Sequence, residues 1–182
     1  MERVAIFIDG SNFYHGLKNN QIPTQIDFQK FAQILCAGRQ LVRVYYFNVA
    51  LKEETDPEEY RRQRLFFDAL GRLEYFDLIL GRLEPRERTC PQCHRTTPIF
   101  VEKGVDIEIA TRMLRLAYNN VYDTAILVSG DGDFAPVVEA VKERGKHVEN
   151  SFFSKGWSRL LRDTCDRPIP LDKKKIARCL LK

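Results

Sequence analysis

The stretch VAIFIDGSNFYHGL, residues 4–17, decides the fold. Residues 3–8 are apolar and rich in β-branched and aromatic side chains, which predicts a buried β-strand. This run stops at the polar tetrapeptide DGSN, residues 9–12, and then resumes with aromatic residues. A carboxylate is therefore expected where a buried strand ends, and the rest of the chain indicates why.

Four further apolar runs predict strands at residues 42–49, 75–80, 124–129 and 147–153. Between them, apolar residues at helical spacing predict helices at residues 27–36, 57–73, 106–118 and 133–144. Strands and helices alternate, and the strands are too apolar to have one face in water. We therefore predict an α/β fold, a Rossmann-like three-layer sandwich with a mainly parallel central sheet flanked by helices.

The overall composition limits the class of protein. With 182 residues, 44% of them hydrophobic and 30% charged, the chain fits one globular domain. Its start lacks the features of a signal peptide, and its apolar runs are too short to cross a membrane. Five irregularly spaced cysteines argue against a secreted disulfide framework. We expect a soluble, cytoplasmic protein with no membrane partner.

Two segments interrupt the alternation of strands and helices. The predicted domain covers residues 1–170, with a polar, cysteine-containing insert at about residues 84–98 and a basic tail or helix at residues 171–182. Residues 159–182 hold eight Lys or Arg against three Asp, 8 − 3 = +5, whereas the whole chain carries +4. Such a basic stretch is consistent with contacts to a phosphate backbone and equally with a solvated helix face.

Four aspartates fall at predicted element boundaries. Asp9 ends the first strand, Asp131 and Asp133 follow the fourth predicted strand in SGDGDF, and Asp106 lies at the entrance to a helix in EKGVDIEIA. Taken singly, Asp106 and Asp133 could be helix caps, and Asp9 and Asp131, each followed by glycine, could be turn residues. In a parallel sheet, however, the strand ends meet at one edge, where ligands bind, so these carboxylates are expected to converge.

Clustered carboxylates raise one another's pKa unless a cation compensates for their charge. Their hard oxygen atoms suit Mg²⁺ or Mn²⁺, ions that keep bound waters and accept phosphate oxygens. One or two such ions could activate a water for attack at phosphorus. The residues predicted to act as both metal ligands and catalytic groups are Asp9, Asp106, Asp131 and Asp133. The residues predicted to contact substrate are Ser11, Asn12, Lys103 and Ser129.

Several other motifs do not fit. The dinucleotide-binding G-x-G-x-x-G does not follow the first strand, and the phosphate-binding G-x-x-x-x-G-K is absent from the sequence. An EF-hand loop starting at Asp131 would need Glu where the chain has Lys142. A haloacid-dehalogenase-like phosphatase would carry an acid two residues after Asp9, where Ser11 stands. A small phosphohydrolase acting on nucleotides stays open.

The blocks FIDGSNFY, EKGVDIEIA and VYDTAILVSGDGDF, in this order, resemble the LabA-like branch of the NYN-domain family, within the PIN-like nuclease superfamily. The resemblance spans most of residues 3–170. It implies a compact Rossmann-like domain, an aspartate cluster that binds Mg²⁺ or Mn²⁺, and RNA as substrate. The predicted function is thus a metal-dependent endoribonuclease acting on single-stranded or structured RNA.

One position departs from the family pattern. Many members have a further aspartate where this chain has Arg112, and Glu108 is a weak substitute for it. Members of such families can lose catalysis and persist as binding modules. A catalytically weak or inactive RNA-binding regulatory module therefore remains an alternative.

The insert contains Cys90 and Cys93, which have the C-x-x-C spacing of half a zinc site. His94 adjoins Cys93 too closely to bind the same ion without strain. A structural Zn²⁺ would need Cys165, Cys179 or a partner subunit, which leaves a homodimer open. The alternative is a plain hairpin with reduced cysteines.

Aromatic residues near the predicted site have two interpretations. Phe13 and Tyr14 could stack on bases, but their place at the start of an amphipathic helix favours the core. Trp157, between Lys155 and Arg159, is a better candidate for the rim of a nucleic-acid site.

Overall fold

A computed structural model of the protein describes residues 1–54 and 56–181. Over these residues the strands are β1 Arg3–Asp9, β2 Gln40–Val49, β3 Phe76–Thr89, β4 Thr96–Lys103, β5 Thr124–Val128, β6 His147–Phe153 and β7 Arg167–Leu171. The helices are α1 Gly10–Asn19, α2 Phe28–Cys36, α3 Pro57–Leu70, α4 Val105–Tyr118, α5 Ala135–Glu143, α6 Arg159–Thr164 and α7 Lys173–Ala177. A 3₁₀ turn, Gly132–Phe134, precedes α5.

The strands form one sheet in the order β4-β3-β2-β1-β5-β6-β7. All neighbouring strands are parallel except β3 and β4, which are antiparallel. The chain begins in the middle of the sheet, runs to one side through β2, β3 and β4, and then fills the other side. Strand order therefore reverses between β1 and β5, and the predicted mainly parallel sheet is confirmed. In such sheets, ligands bind beyond the strand ends at this reversal.

The central strand β1 is buried on both faces. Val4, Ile6 and Ile8 pack with α1, α2, α3 and α7 in one core. Ala5 and Phe7 pack with α4, α5 and α6 in the other core. Successive side chains of a strand point to opposite faces, so the uninterrupted apolar run of β1 supplies both cores. This arrangement is the predicted three-layer sandwich.

The polar insert forms a hairpin, which the sequence offered as one alternative without giving the bounds of its strands. The end of β3 and all of β4 make an antiparallel hairpin, from the pair Arg82 and Lys103 to the pair Thr89 and Thr96. Most of its side chains are exposed, so the segment lacks the alternation of apolar and polar residues by which a half-buried strand is recognised.

The basic C-terminal segment is built into the domain. Its strand β7 is an edge strand with prolines at residues 168 and 170, which its position tolerates but which obscure the strand in the sequence. Helix α7 buries Ile176, and Cys179 just after it is also buried. Lys173 and Lys174 of α7 are exposed, whereas the amine of the half-buried Lys175 donates to the Pro170 carbonyl at 2.7 Å. No helix in the described residues combines the length and apolarity needed to span a membrane.

Helix α1 starts so close to β2 that its first residue has no room for a side chain. A Cβ atom on Gly10 would lie 2.6 Å from the carbonyl oxygen of Phe47 and 2.6 Å from the ring of Tyr46. We expect Gly10→Ala to lower the free energy of unfolding by about 1–3 kcal/mol, the usual cost of overpacking. Urea denaturation measures this change.

Gly71, which ends α3, provides the matched control. Its φ is −65°, and a Cβ atom there would lie 3.5 Å from the nearest atom, the carbonyl oxygen of Phe67. Gly71→Ala is therefore expected to leave stability unchanged or to raise it by about 0.4–1 kcal/mol. Equal losses in the two variants would contradict the close approach at Gly10.

Candidate functional site

Asp9 lies at the centre of the site and is only 6% exposed. Its Oδ1 accepts a hydrogen bond from the Asn12 N–H at 3.0 Å and thereby caps α1. Its Oδ2 accepts from the Ser129 hydroxyl at 3.1 Å. Burial is the main cause that raises the pKa of Asp9 to about 6; the two hydrogen bonds oppose this rise, and the nearby Asp106 and Glu102 add to it. Two hydrogen bonds thus hold this carboxylate in place, and no cationic side chain in residues 1–54 and 56–181 forms an ion pair with it.

The side chains of Asn12 and Ser129 connect the ends of β1 and β5. Oδ1 of Asn12 accepts from the Gly130 N–H at 2.9 Å. Oγ of Ser129 accepts from the Asp131 N–H at 3.2 Å while donating to Asp9. Both residues therefore position the loop after β5 against α1. Their predicted contact with substrate stays a prediction.

Asp131 and Asp133 lie in that loop, next to the switch point. Oδ1 of Asp131 accepts from the Asp133 N–H at 3.0 Å and caps the 3₁₀ turn. Asp106 lies in the first turn of α4, which begins after Gly104. The cap prediction for Asp106 and Asp133 is therefore wrong, since α4 and α5 begin after Gly104 and Phe134 without a side-chain cap. The caps are instead Asp9 and Asp131, which the sequence suggested as turn residues.

The four aspartates share one electrostatic neighbourhood. Partial burial, together with Asp131 and Asp133, raises the pKa of Asp106, which in turn raises that of Asp9. In residues 1–54 and 56–181, no three His, Cys, Asp or Glu side chains surround one point as a ready set of metal ligands. The carboxylates are therefore neighbours that repel one another, and they do not form a closed cage.

This set of carboxylates would suit Mg²⁺ or Mn²⁺ better than it would suit an ion that needs a full set of protein ligands. Mg²⁺ in proteins usually keeps several waters and is held by one or two carboxylates. Asp9 and its neighbours Asp106, Asp131 and Asp133 offer only hard oxygen atoms. Such residues would hold the ion in an open, hydrated coordination sphere.

Glu102 is a member of the site that sequence reasoning missed. It lies near the end of β4, and its Oε1 accepts from the Ser11 hydroxyl at 3.1 Å. Its charge also raises the pKa of Asp9. The residue belongs to the EKGVD block, and it reaches the site because β4, which the sequence did not delimit, carries that block to the sheet edge. Lys103, the last residue of β4, is half-buried beside it.

The loop after β6, residues 154–158, lies directly on the SGDGD turn. A Cβ atom on Gly130 would lie 2.9 Å from the carbonyl carbon of Gly156 and 3.2 Å from Cα of Trp157. Trp157 is 37% exposed, and the centre of its ring lies 4.6 Å from the guanidinium of Arg162. The structure therefore places Trp157 at the rim of the acidic edge, with the exposed Lys155 close by.

A cleft of about 550 Å³ opens beside the acidic edge, bordered by Ser11 and Glu102. Tyr14 and Phe66 contribute aromatic rings to its lining. Tyr14 is half-buried and lines this cleft, although its sequence position favoured the core. Phe13, by contrast, is buried among other phenylalanines as expected. The cleft has the size of a small-molecule or nucleotide pocket.

Arg112 and Glu108 lie away from the acidic edge. The guanidinium of Arg112 is 5.4 Å from the ring of Tyr45, which stacks on Phe7 in the middle of the sheet. Glu108 follows Asp106 by two residues, about 200° around the helix at 3.6 residues per turn, and is exposed. Neither position contributes to the arrangement around Asp9.

The cysteines are separated into two groups. Cys165 and Cys179 are buried in opposite cores and cannot reach the hairpin that carries Cys90 and Cys93. The sequence-based option that either of them completes a zinc site is therefore wrong. At the hairpin, the N–H groups of Cys93 and Gln92 and the Cys93 thiol lower the pKa of Cys90.

The parallel sheet and its strand-end carboxylates define a PIN-like α/β domain. The model of the NYN domain family matches residues 3–172, and the chain belongs to that family. It is 32% identical over 180 residues to the low amplitude and bright protein LabA of Synechococcus elongatus, covering 93% of this chain and 84% of that protein. The chain is a LabA-like NYN protein, and the NYN domain belongs to the PIN-like nuclease superfamily.

Two other proteins are similar to this chain. An uncharacterized protein of Methanocaldococcus jannaschii is 28% identical over 104 residues, which cover 54% of this chain and 43% of that protein. A crystal structure of a Vibrio parahaemolyticus protein of unknown function superposes with a TM-score of 0.65 at 23% identity. It covers 99% of this chain and 96% of that one. The latter comparison shows the shared fold.

The raised pKa of Asp9 predicts that this residue lowers the free energy of unfolding at neutral pH. Between the unfolded pKa near 4 and the folded pKa of about 6, unfolding releases a proton, so this residue makes the protein less stable as the pH rises. Asp9→Asn keeps an oxygen that can cap α1 and removes the buried charge. In EDTA at pH 7.5 we expect the variant to be more stable by about 1–3 kcal/mol, at 1.4 kcal/mol per tenfold change in proton affinity.

Urea denaturation at pH 4.5 and pH 7.5 tests this expectation. The advantage of Asp9→Asn should shrink at pH 4.5, where the wild-type carboxyl is protonated in the folded state. Glu139→Gln, which removes an exposed carboxylate from α5, should show no such pH dependence. A loss of stability in Asp9→Asn that is equal at both pH values would contradict the buried, uncompensated charge.

Proposed function

We propose that this protein is a metal-dependent ribonuclease that hydrolyses phosphodiester bonds in RNA. The observation that carries the proposal is the meeting of Asp9, Asp106, Asp131 and Asp133 at the switch point of the sheet. They come from three separate segments; the charges of Asp131 and Asp133 raise the pKa of Asp106, and Asp106 raises that of Asp9. Acids elsewhere in the fold, such as Asp123 and Glu149, form ion pairs instead. Membership of the NYN family supports a nuclease or another RNA-related role.

The acidic residues would hold Mg²⁺ or Mn²⁺. When bound, such an ion supplies a Lewis acid for the phosphate and lowers the pKa of a bound water. Asp9 is oriented for this role by its hydrogen bonds to Asn12 and Ser129. Asp106 is close enough to raise the pKa of Asp9, and Asp131 and Asp133 are close enough to raise that of Asp106.

Neighbouring groups would position the RNA. Ser11 and Lys103 lie where β4 and α1 meet the acidic edge, and their polar groups suit phosphate oxygens. The cleft beside Ser11 has room for a nucleotide next to the scissile phosphate, and Tyr14 offers an aromatic ring for stacking. On the other side, Lys155 and Arg162 surround Trp157 with positive charge.

The open arrangement of the carboxylates favours one alternative. Because no three ligand side chains in the described residues surround one point, the domain would also suit an RNA-binding module without turnover, in which basic residues such as Lys155 and Arg162 contact the phosphates. Such a module would bind RNA with strong salt dependence and leave it intact. Cleavage assays separate the two functions directly.

The decisive variant is Asp131→Asn combined with Asp133→Asn. Asparagine keeps the oxygen that caps the 3₁₀ turn, so the fold is expected to survive. Removing a residue that only hydrogen-bonds to a metal ligand typically lowers activity by about 10–100-fold. Loss of two carboxylates that bind the metal directly should therefore lower Mn²⁺-dependent cleavage by more than about 100-fold. The measurement follows a 5′-labelled single-stranded RNA with Mg²⁺ or Mn²⁺, and with EDTA in parallel.

Glu139→Gln is the matched control and should retain wild-type cleavage. DNA of the same sequence and free nucleotides, tested as parallel substrates, distinguish a ribonuclease from a less selective nuclease and from a nucleotide phosphohydrolase. Wild-type protein that binds RNA without cleaving it under either metal would replace the proposal by the binding module. Undiminished cleavage by the double variant would show that the activity lies elsewhere.

A further inference from the structure

The β3–β4 hairpin, residues 82–103, is an arm that projects from the edge of the sheet. Strand β3 pairs with β2 only over Phe76–Gly81, and beyond Gly81 it pairs with β4 alone. The eight residues of β4 extend the arm by about 27 Å at 3.4 Å per residue. A two-stranded ribbon in water is marginally stable by itself. An arm of this length therefore gains from a further constraint at its tip.

The tip holds two thiols in a fixed turn. The N–H of Cys90 donates to the carbonyl of Arg95, and the N–H of His94 donates to the carbonyl of Cys90, each at 2.9 Å. His94 adopts a left-handed conformation with φ +53°. This turn holds Cys90 and Cys93, three residues apart, at the accessible end of the arm.

These two thiols are half of a tetrahedral zinc site, because structural Zn²⁺ takes four Cys or His ligands. The chain's other cysteines, Cys36, Cys165 and Cys179, are buried in the cores. Across the described residues, no third Cys, His, Asp or Glu side chain joins the pair. Cys90 and Cys93 are instead accessible from outside the molecule.

We infer that the arm tips of two copies of this chain join through one Zn²⁺ bound by Cys90 and Cys93 of each copy. The inference is independent of the proposed nuclease activity, because the tip and the acidic edge share no residue. The length of the arms lets the two sulfur pairs meet while the domains stay apart. A homodimer formed in this way completes the ligand set with chemistry that the chain itself provides.

The positive charge of the tip is compatible with pairing of two copies around one zinc–thiolate centre. Residues 86–95 carry three arginines and one glutamate, 3 − 1 = +2. Two such tips repel each other without metal. A zinc ion with four thiolates carries 2 − 4 = −2, so the metal centre offsets the charge of the arms that meet around it. Dimerisation is therefore expected to depend on the metal.

The test measures metal content and mass together on the full chain under reducing conditions. After Zn²⁺ is added and unbound metal removed, we expect half a zinc ion per chain and the mass of a dimer in light scattering. EDTA should return the protein to the monomer. Substitution with Co²⁺ should give the strong visible and near-ultraviolet absorption of a tetrahedral all-thiolate centre.

Matched variants locate the site. Cys90→Ser combined with Cys93→Ser should lose both the zinc and the dimer, whereas Gln92→Ala in the same turn should retain both. His94→Asn, which tolerates the left-handed backbone, should also retain both, because His94 is not a ligand. Circular dichroism checks that each variant is folded.

Several results would overturn the inference. One zinc ion per monomeric chain would show a site completed within the chain, and its loss in His94→Asn would identify the histidine as the third ligand. No retained zinc, or a dimer that persists in EDTA and in the double serine variant, would equally contradict the metal-joined arms. None of these outcomes depends on RNA cleavage, so the nuclease proposal stands or fails separately.

Discussion

The site depends on one interaction, the pair of hydrogen bonds that hold the buried carboxylate of Asp9 between two parallel strands. The Asn12 N–H and the Ser129 hydroxyl each donate to one of its oxygen atoms. Through these bonds a single side chain caps α1, ends β1 and contacts the residue that follows β5. The reversal of strand order opens a crevice at this point, and the carboxylate of Asp9 lies at the bottom of that crevice.

The sequence indicated this arrangement because its causes are local. An apolar run that stops at a carboxylate marks the end of a buried strand, and parallel pairing brings such ends to one edge. The prediction of helix 27–36 rests on similarly local chemistry, since the side chain of Asp27 accepts from the Lys30 N–H at 3.0 Å. These features need only neighbouring residues and the rules of parallel sheets.

Other parts of the site depend on tertiary contacts that leave little trace in the sequence. Glu102 reaches the acidic edge only because β4 pairs antiparallel to β3, and exposed strands of that kind lack an apolar period. Tyr14 directly follows the core residue Phe13, yet it lines the cleft. The face of α1 that packs into the core carries Phe13 and Leu17, and Tyr14 lies outside that face. The contact of residues 154–158 with Gly130 joins segments that are more than 20 residues apart. A contact between such distant segments cannot be predicted from a local sequence pattern.

The two edges of the sheet treat buried acids in opposite ways. At the amino edge, Glu149 is as buried as Asp9, 6% exposed in each case, and it pairs with Arg39 at 2.8 Å. Asp123 pairs with Arg3 at 2.7 Å, and the guanidinium lowers its pKa. The fold thus supplies cations to acids that serve only its structure. In the described part of the chain, no ion pair includes Asp9 or the other three aspartates of the carboxyl edge. A buried charge left uncompensated costs stability, and an external cation would remove that cost, which is the physical reason to regard this edge as a functional site.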